Sequence, residues 1–200
     1  MGSNVRNFNN SLNLFVVMCK QCNLKPVYEF TNKKKLCKGC FIKYFQKKFL
    51  YTIRKFDMIK KGDVVSYKSK GGFRDVVLED LLNLFVNKGV ISVMKVSNKK
   101  ANKIALSNTL DIESDKIVHI LIKNNASKLK KLFPVDKKII KPLYLLTDDE
   151  ILLYAKLRNL KIKSKKTKKD KISSFIDELE KKHPEIKRAI VNSYLELYEK

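Results

Sequence analysis

Hydrophobic and polar positions alternate along this chain with two different periods. Phe41, Tyr44, Phe45, Phe49, Ile53 and Phe56 recur at steps of three and four, with lysine and arginine between them, which predicts an amphipathic helix. Gly62-Asp63 marks a turn before a short strand over Val64 to Tyr67. Residues 76–89, VVLEDLLNLFVNKG, read as a helix with Gly89 at its C-cap. Residues 90–96 and 102–108 read as two further strands. Residues 111–125 read as a helix whose Ile117, Val118, Leu121 and Ile122 face inward. Thr147 and Glu150 form a capping box for another helix, and Asp148 and Asp149 suit its first turn. The carboxyl end predicts two helices broken at Pro184, with Phe175, Ile176, Leu179, Ile186, Ile190, Tyr194 and Leu197 on their apolar stripes. Strands alternating with helices indicate an α/β class with a parallel sheet. His119 and His183 read as a helix residue and as helix punctuation, with no nucleophile or second ligand beside either.

Cysteine changes this picture at the amino end. All four lie in residues 19–40, as Cys19-x2-Cys22, fourteen intervening residues, and Cys37-x2-Cys40. Each pair can turn a knuckle that aims two thiolates at one ion, and Val27 to Phe30 supply the first strand of a hairpin between the pairs. Four thiolates leave no open position on zinc, so the expected site is structural. An iron–sulfur centre is the alternative metal reading, and two disulfides would need a secreted context.

Charge adds a partner. Lysine plus arginine number 44 against 20 acids, a formal +24, and only five of the cations are arginine. Such a surplus points to a polyanion, contacted by point charges on phosphate more than by bidentate base reading. Lys43, Lys47, Lys48, Arg54 and Lys55 on the first helix are the expected RNA-binding face. A biased genome composition would enrich lysine too. A membrane is the competing partner, and no apolar run has the length to span one. Residues 161–171 form a lysine run that reads as a basic linker. Residues 1–18 read as a flexible extension carrying no targeting signal, with Met18 as an alternative start, and cytoplasm is the expected location. The expected division is an extension (1–18), a metal finger (19–45), an α/β domain (46–160), a basic linker (161–171) and closing helices (172–200).

Taken in order, these segments resemble the tRNA wobble-uridine 2-thiolation family, which joins a zinc finger to a PP-loop (adenine nucleotide alpha hydrolase-like) domain. The likeness is carried by CKGCFIKYFQKKFLYTIRKFDMIKKGDVV, by KIALSNTLDIESDKIVHILIKNN, which is similar to the family's Gly-His-Asn-Leu-Asp-Asp-Glu-Ala stretch, and by KKIIKPLYLLTDDEILLYAKLRNL. FIDELEKKHPEIKRAIVNSY resembles the closing helices. The resemblance implies a shortened PP-loop parallel-sheet domain flanked by a four-cysteine zinc finger and C-terminal helices.

The departures are chemical. The family's loop is Ser-Gly-Gly-Lys-Asp-Ser, and the corresponding text here is Lys70-Gly71-Gly72-Phe73-Arg74-Asp75, with Ser69 one place early. Gly71 and Gly72 remain as a degenerate nucleotide loop, but Asp75 at a helix N-terminus would repel a phosphate. Asp111 is followed by Ile112 where the family has a second aspartate, and the interval from the loop to Leu110 is short. Catalytic members carry further cysteines for sulfur chemistry, and none follows Cys40 here. The resemblance therefore implies a non-catalytic, tRNA-binding subunit, with structural zinc and no ATP, beside a homologous catalytic subunit whose loop is intact. The alternatives are a zinc-ribbon nucleic-acid binder on an inactive scaffold, or a residual ATP-dependent thiolase using Asp111 or Glu113.

Overall fold

The structure is a computed structural model that describes residues 18–69, 71–95, 101–163 and 170–198. Residues 1–17 of the expected extension and the middle of the lysine run, 164–169, lie outside them. The chain forms two compact units, divided between Cys40 and Phe41. This boundary falls five residues before the expected one, inside the helix that carries the last cysteine.

The first unit is a small antiparallel hairpin. Strand β1 (Tyr28–Glu29) pairs with β2 (Lys35–Leu36), Tyr28 opposite Leu36 and Glu29 opposite Lys35. The turn between them passes through Lys33 at positive φ and is closed by the Phe30 N–H on the Lys34 carbonyl, 2.8 Å.

The second unit takes in most of helix α1 (Lys38–Lys55) and everything after it. Its order is β3 (Val64–Tyr67), α2 (Phe73–Val86), β4 (Ser92–Met94), β5 (Lys103–Ala105), α3 (Leu110–Ile122), β6 (Val135–Asp136), β7 (Ile139–Ile140), α4 (Asp148–Leu157), α5 (Lys171–Lys182) and α6 (Ile186–Tyr198). A 3-10 turn, Ala126–Leu132, follows α3. The sheet runs β4-β3-β5-β7-β6. Strand β3 is parallel to β4 and β5, β5 is parallel to β7, and β6 runs antiparallel against β7. The chain leaves β3 for β4 on one side and returns to β5 on the other. That reversal puts the topological switch point at the carboxyl ends of β3 and β5, where ligands of open α/β sheets bind.

Local sequence explains most element ends. Gly89, at φ +64, turns the chain out of α2, and the Val90 N–H reaches back to the Phe85 carbonyl at 3.0 Å. Thr147 caps α4 reciprocally: its hydroxyl accepts from the Glu150 N–H, and the Glu150 carboxylate accepts from the Thr147 N–H at 3.0 Å. Phe41, Phe45, Phe49 and Ile53 form the buried stripe of α1 as expected, and Phe45 stacks on Tyr154 of α4 at 4.3 Å between ring centroids. Such a pair contributes about 0.5–1.5 kcal/mol beyond its area.

Three expectations are corrected. Leu121 and Ile122 do not face inward: they are 56% and 61% exposed. The buried stripe of α3 runs through Leu110, Glu113, Ser114 and Ile117, continuing to Ile120, so the last turn shows its other side to water. Phe175 and Leu197 are likewise exposed. The closing helices are not a separate segment. Val191, Tyr194 and Leu195 of α6 share one core with Leu110, Ile117, Leu129 and Tyr144, so α6 belongs to the same unit as the sheet.

Helix α6 also buries a lysine. Lys187 of α6, only 6% exposed at its side chain, meets Asp111 at 2.9 Å, Asp177 at 3.0 Å and Glu180 at 2.7 Å. Replacing it with methionine leaves three carboxylates facing one another, and breaking such a buried cluster costs about 3–5 kcal/mol. Lys187→Met is expected to lower the urea midpoint of the second unit correspondingly; an unchanged midpoint would mean the cluster is solvated.

Candidate functional site

Two places carry chemistry. The first is the thiol cluster of the amino-terminal unit. The chain turns through Asn23 at positive φ between Cys19 and the hairpin, and the Cys19 N–H donates to the Leu24 carbonyl at 2.9 Å. Cys37 directly precedes α1 and Cys40 lies in its first turn, near the positive end of the helix dipole. The four Sγ atoms come together within 4.8 Å of one another, Cys22 lying 3.2 Å from Cys37 and 3.5 Å from Cys40. Metal–thiolate bonds of about 2.3 Å give a tetrahedron with edges near ~3.8 Å, so the residues fit one four-coordinate ion.

Their protonation fits as well. Burial pushes the Cys19 thiol up, but backbone N–H groups of Gln21, Cys37 and Cys22 outweigh it and bring the pKa to about 6. Cys37 is lowered, first by the Cys40 N–H. Cys40 is pushed up to about 12, chiefly by its hydrogen bond with Cys22. The cluster thus has thiolate character that the knuckle amides stabilise and more negative charge than it can hold without a cation. Both expected ligand pairs, Cys19/Cys22 and Cys37/Cys40, are brought to one point.

The second place is the switch point. Gly71, at φ +78, and Gly72, the residue before α2, occupy the turn between β3 and α2, as a phosphate-binding loop would. The mouth of that loop is tied shut. Arg74 forms a two-point pair with Asp148 at the start of α4, Nε donating at 2.7 Å and the second contact closer still. Burial disfavours the Arg74 charge, but the Asp148 carboxylate holds its pKa above the usual range. Asp75 accepts from the Ser107 hydroxyl at 2.6 Å, crossing from α2 to the segment after β5. The Lys163 N–H donates to the Gly71 carbonyl at 3.0 Å, and a Cβ on Gly71 would come within 2.9 Å of the Lys163 stem. The crevice left at the ends of β3 and β5, lined by Tyr67, Lys68, Ala105 and Ser107 among others, holds about 120 Å³. Small-molecule sites occupy roughly 300–1,000 Å³, so this crevice is smaller than that range.

The carboxylates that could have served a residual enzyme are committed elsewhere. Asp111 accepts from Lys187 at 2.9 Å and from the Asp148 N–H at 2.7 Å. Glu113, fully buried, is held by Lys141 at 2.8 Å, Lys116 at 3.0 Å and Asn108. Lys141 belongs to Ile140-Lys141-Pro142-Leu143 and Glu113 to the Asn108–Glu113 stretch, so two of the segments that carried the family resemblance are joined by one buried ion pair.

With the geometry in place, the fold has a known counterpart. No family model matches the chain, and no curated protein does. Among solved structures it is similar to the U34-tRNA thiolase NcsA from Methanococcus maripaludis, a structure containing a 4Fe-4S cluster, at 22% identity and a TM-score of 0.71 over 91% of this chain and 87% of that one. The chain shares the α/β fold of that structure, and the tied turn at Gly71 and Gly72 stands at the switch point of its sheet.

The expected RNA face is placed as follows. Lys43, Lys47, Arg54 and Lys55 are exposed on α1. At about 100° per residue, Lys43, Lys47 and Arg54 fall within about 40° of one another, with Tyr51 and then Lys55 on the adjoining side. Lys48 is a correction: its ammonium is turned inward, 2.7 Å from Glu150, with the side chain 12% exposed. Burial lowers its pKa despite the attraction of Glu150. Position 48 borders the buried stripe of Phe45, Phe49 and Thr52, which is why a surface assignment failed. Lys187 was missed for a similar reason, and its signal was present in the sequence: it lies four residues before Val191, on the apolar stripe of α6.

Replacing Cys37 with serine is expected to release the bound metal and abolish amide protection of the β1–β2 hairpin, since folding and metal binding are coupled in such knuckles. Elemental analysis and hydrogen exchange read the two effects. A hairpin that stays protected without metal would overturn the assignment.

Proposed function

We propose that this chain is a non-catalytic, tRNA-binding subunit in 2-thiolation of the tRNA wobble uridine, working in the cytoplasm beside a homologous subunit with an intact PP-loop. The observation that carries it is the pair of ties, Arg74 to Asp148 and Asp75 to Ser107, lying across a nucleotide turn in a PP-loop fold. A loop so engaged would have to break both ties before it presented amides to a phosphate, and Asp75 would repel the phosphate when it arrived. The substrate side rests on the solved U34-tRNA thiolase that shares the fold and on the formal charge of +24. Among the described residues no helix is long and apolar enough to cross a membrane.

In this reading the four-thiolate centre holds a structural zinc. Four thiolates close its coordination, so the ion contributes folding energy and no reacting position. Cys19, Cys22, Cys37 and Cys40 hold it. RNA meets the exposed stripe of Lys43, Lys47, Arg54 and Lys55, while Lys48 supports α1 from within by pairing with Glu150.

Depleting the protein in its own cell is expected to lower the 2-thiouridine content of bulk tRNA, with recovery on re-expression, read by nucleoside mass spectrometry. Unchanged sulfur would reject the thiolation role and leave a basic metal-knuckle RNA binder. In parallel, millimolar Mg-ATP is expected to leave the thermal midpoint of the purified chain unmoved, because a ligand that binds the native state raises it. A clear upward shift would return the chain to the enzymes.

Neutralising Lys43, Lys47 and Arg54 together is expected to weaken tRNA binding and flatten its salt dependence by a slope of about 2, since each phosphate that a cation neutralises adds about 0.7–0.9 to that slope. A Lys48→Gln variant should instead register as reduced stability. If the triple variant keeps the wild-type slope, the RNA surface lies elsewhere.

A further inference from the structure

Beside the basic stripe, α1 and α6 enclose a cleft of about 390 Å³, a volume within the usual range of ligand sites. Its floor is apolar, made by Leu110, Leu145 and Leu195. Its walls are two helical stripes spaced by whole turns: Lys48, Tyr51 and Lys55 on α1, and Arg188, Asn192 and Glu196 on α6. Tyr51 is 52% exposed, although its ring is the largest apolar surface on that wall. Arg188 acts electrostatically on Lys48, so those two cations mark one end of the cleft. Lys48 is occupied by Glu150, whereas Glu185 takes Nε of Arg188, at 3.2 Å, from a guanidinium that carries five N–H donors. Glu196, two turns along α6 from Arg188, gives the other end an acid.

An exposed aromatic ring, an apolar floor, a guanidinium and an amide lining one cleft match the parts of a nucleotide. Proteins that hold single-stranded nucleic acid use this combination, stacking bases on aromatic rings while cations track the backbone. Double-stranded RNA gives such a ring nothing to do, because its bases are already stacked.

We infer that this cleft takes one unstacked nucleotide of the bound RNA, its base on the Tyr51 ring, its edge toward Asn192 and its phosphate on Arg188. The inference rests on the RNA-binding reading above and adds to it a preference for loops over helices.

The test uses the full chain and two RNAs with equal numbers of phosphates: a hairpin with a single-stranded loop and a blunt, fully paired duplex. The wild type is expected to bind the hairpin more tightly. Tyr51→Ala should lower hairpin affinity about 5- to 100-fold, the range of one base–aromatic stack, while leaving duplex affinity and the thermal midpoint unchanged. Tyr51→Phe should keep the hairpin affinity, since stacking needs the ring and not the hydroxyl. Arg188→Ala should reduce hairpin binding and its salt slope together. Wild-type binding to the hairpin that Tyr51→Ala leaves intact, or lowers equally for the duplex, would overturn the cleft while leaving the RNA-binding reading standing. A wild type that binds neither RNA would overturn both.

Discussion

The second unit is organised around the carboxylate of Asp111. One oxygen takes the buried ammonium of Lys187 on α6, and the other takes the backbone N–H of Asp148 at the start of α4. Asp148 in turn accepts from Thr109, the cap of α3, and from Arg74 in the first turn of α2. Four helices are thus registered through two acids. A buried ammonium loses its hydration, and only well-placed partners offset that loss. Burial works against the Lys187 charge, but Asp111, Glu180 and Asp177 together hold its pKa above the ordinary lysine value. Its contribution is therefore complete at neutral pH and is lost as pH rises through that elevated pKa. Lys48 and Lys141 lie on the other side of the balance: desolvation lowers both pKa values even with a carboxylate in contact.

The same network reaches the turn between β3 and α2. A phosphate-binding loop needs donors facing outward, toward a phosphate. In the proposed reading this turn faces inward instead, because Arg74 and Asp75 both have partners on neighbouring elements. Those two contacts cross-link α2 to α4 and to the segment after β5. Gly71 has a backbone reason to be glycine: it sits at φ +78 with the Lys163 stem against it, a place no side chain fits without displacement.

The lysine count needs the same sorting. Charge on this scale points to a polyanion, yet some of it is internal, engaged by Glu150, Glu113 and the Asp111 cluster. What remains outward on α1 is a stripe whose edge runs into the cleft with Tyr51. Phosphate contacts along the stripe would set affinity and orientation, and the cleft would add discrimination between paired and unpaired RNA.

Much of this was determined by the sequence alone. The cysteine spacing, the Thr147–Glu150 box, the Gly89 exit from α2 and the stripe of α1 each depend on residues within a turn or two of one another, so local chemistry settles them. The fold class was legible for the same reason. Only the tertiary structure decided that Lys48 and Lys187 are internal, that Leu121 and Ile122 are outside, and that α6 completes the core. Arg74 and Asp148 stand 74 residues apart, Lys187 and Asp111 stand 76 apart, and nothing in either neighbourhood names the other. Which face of a helix is buried depends on what packs against it, and a charge becomes structural only when the fold brings its counter-charge to it.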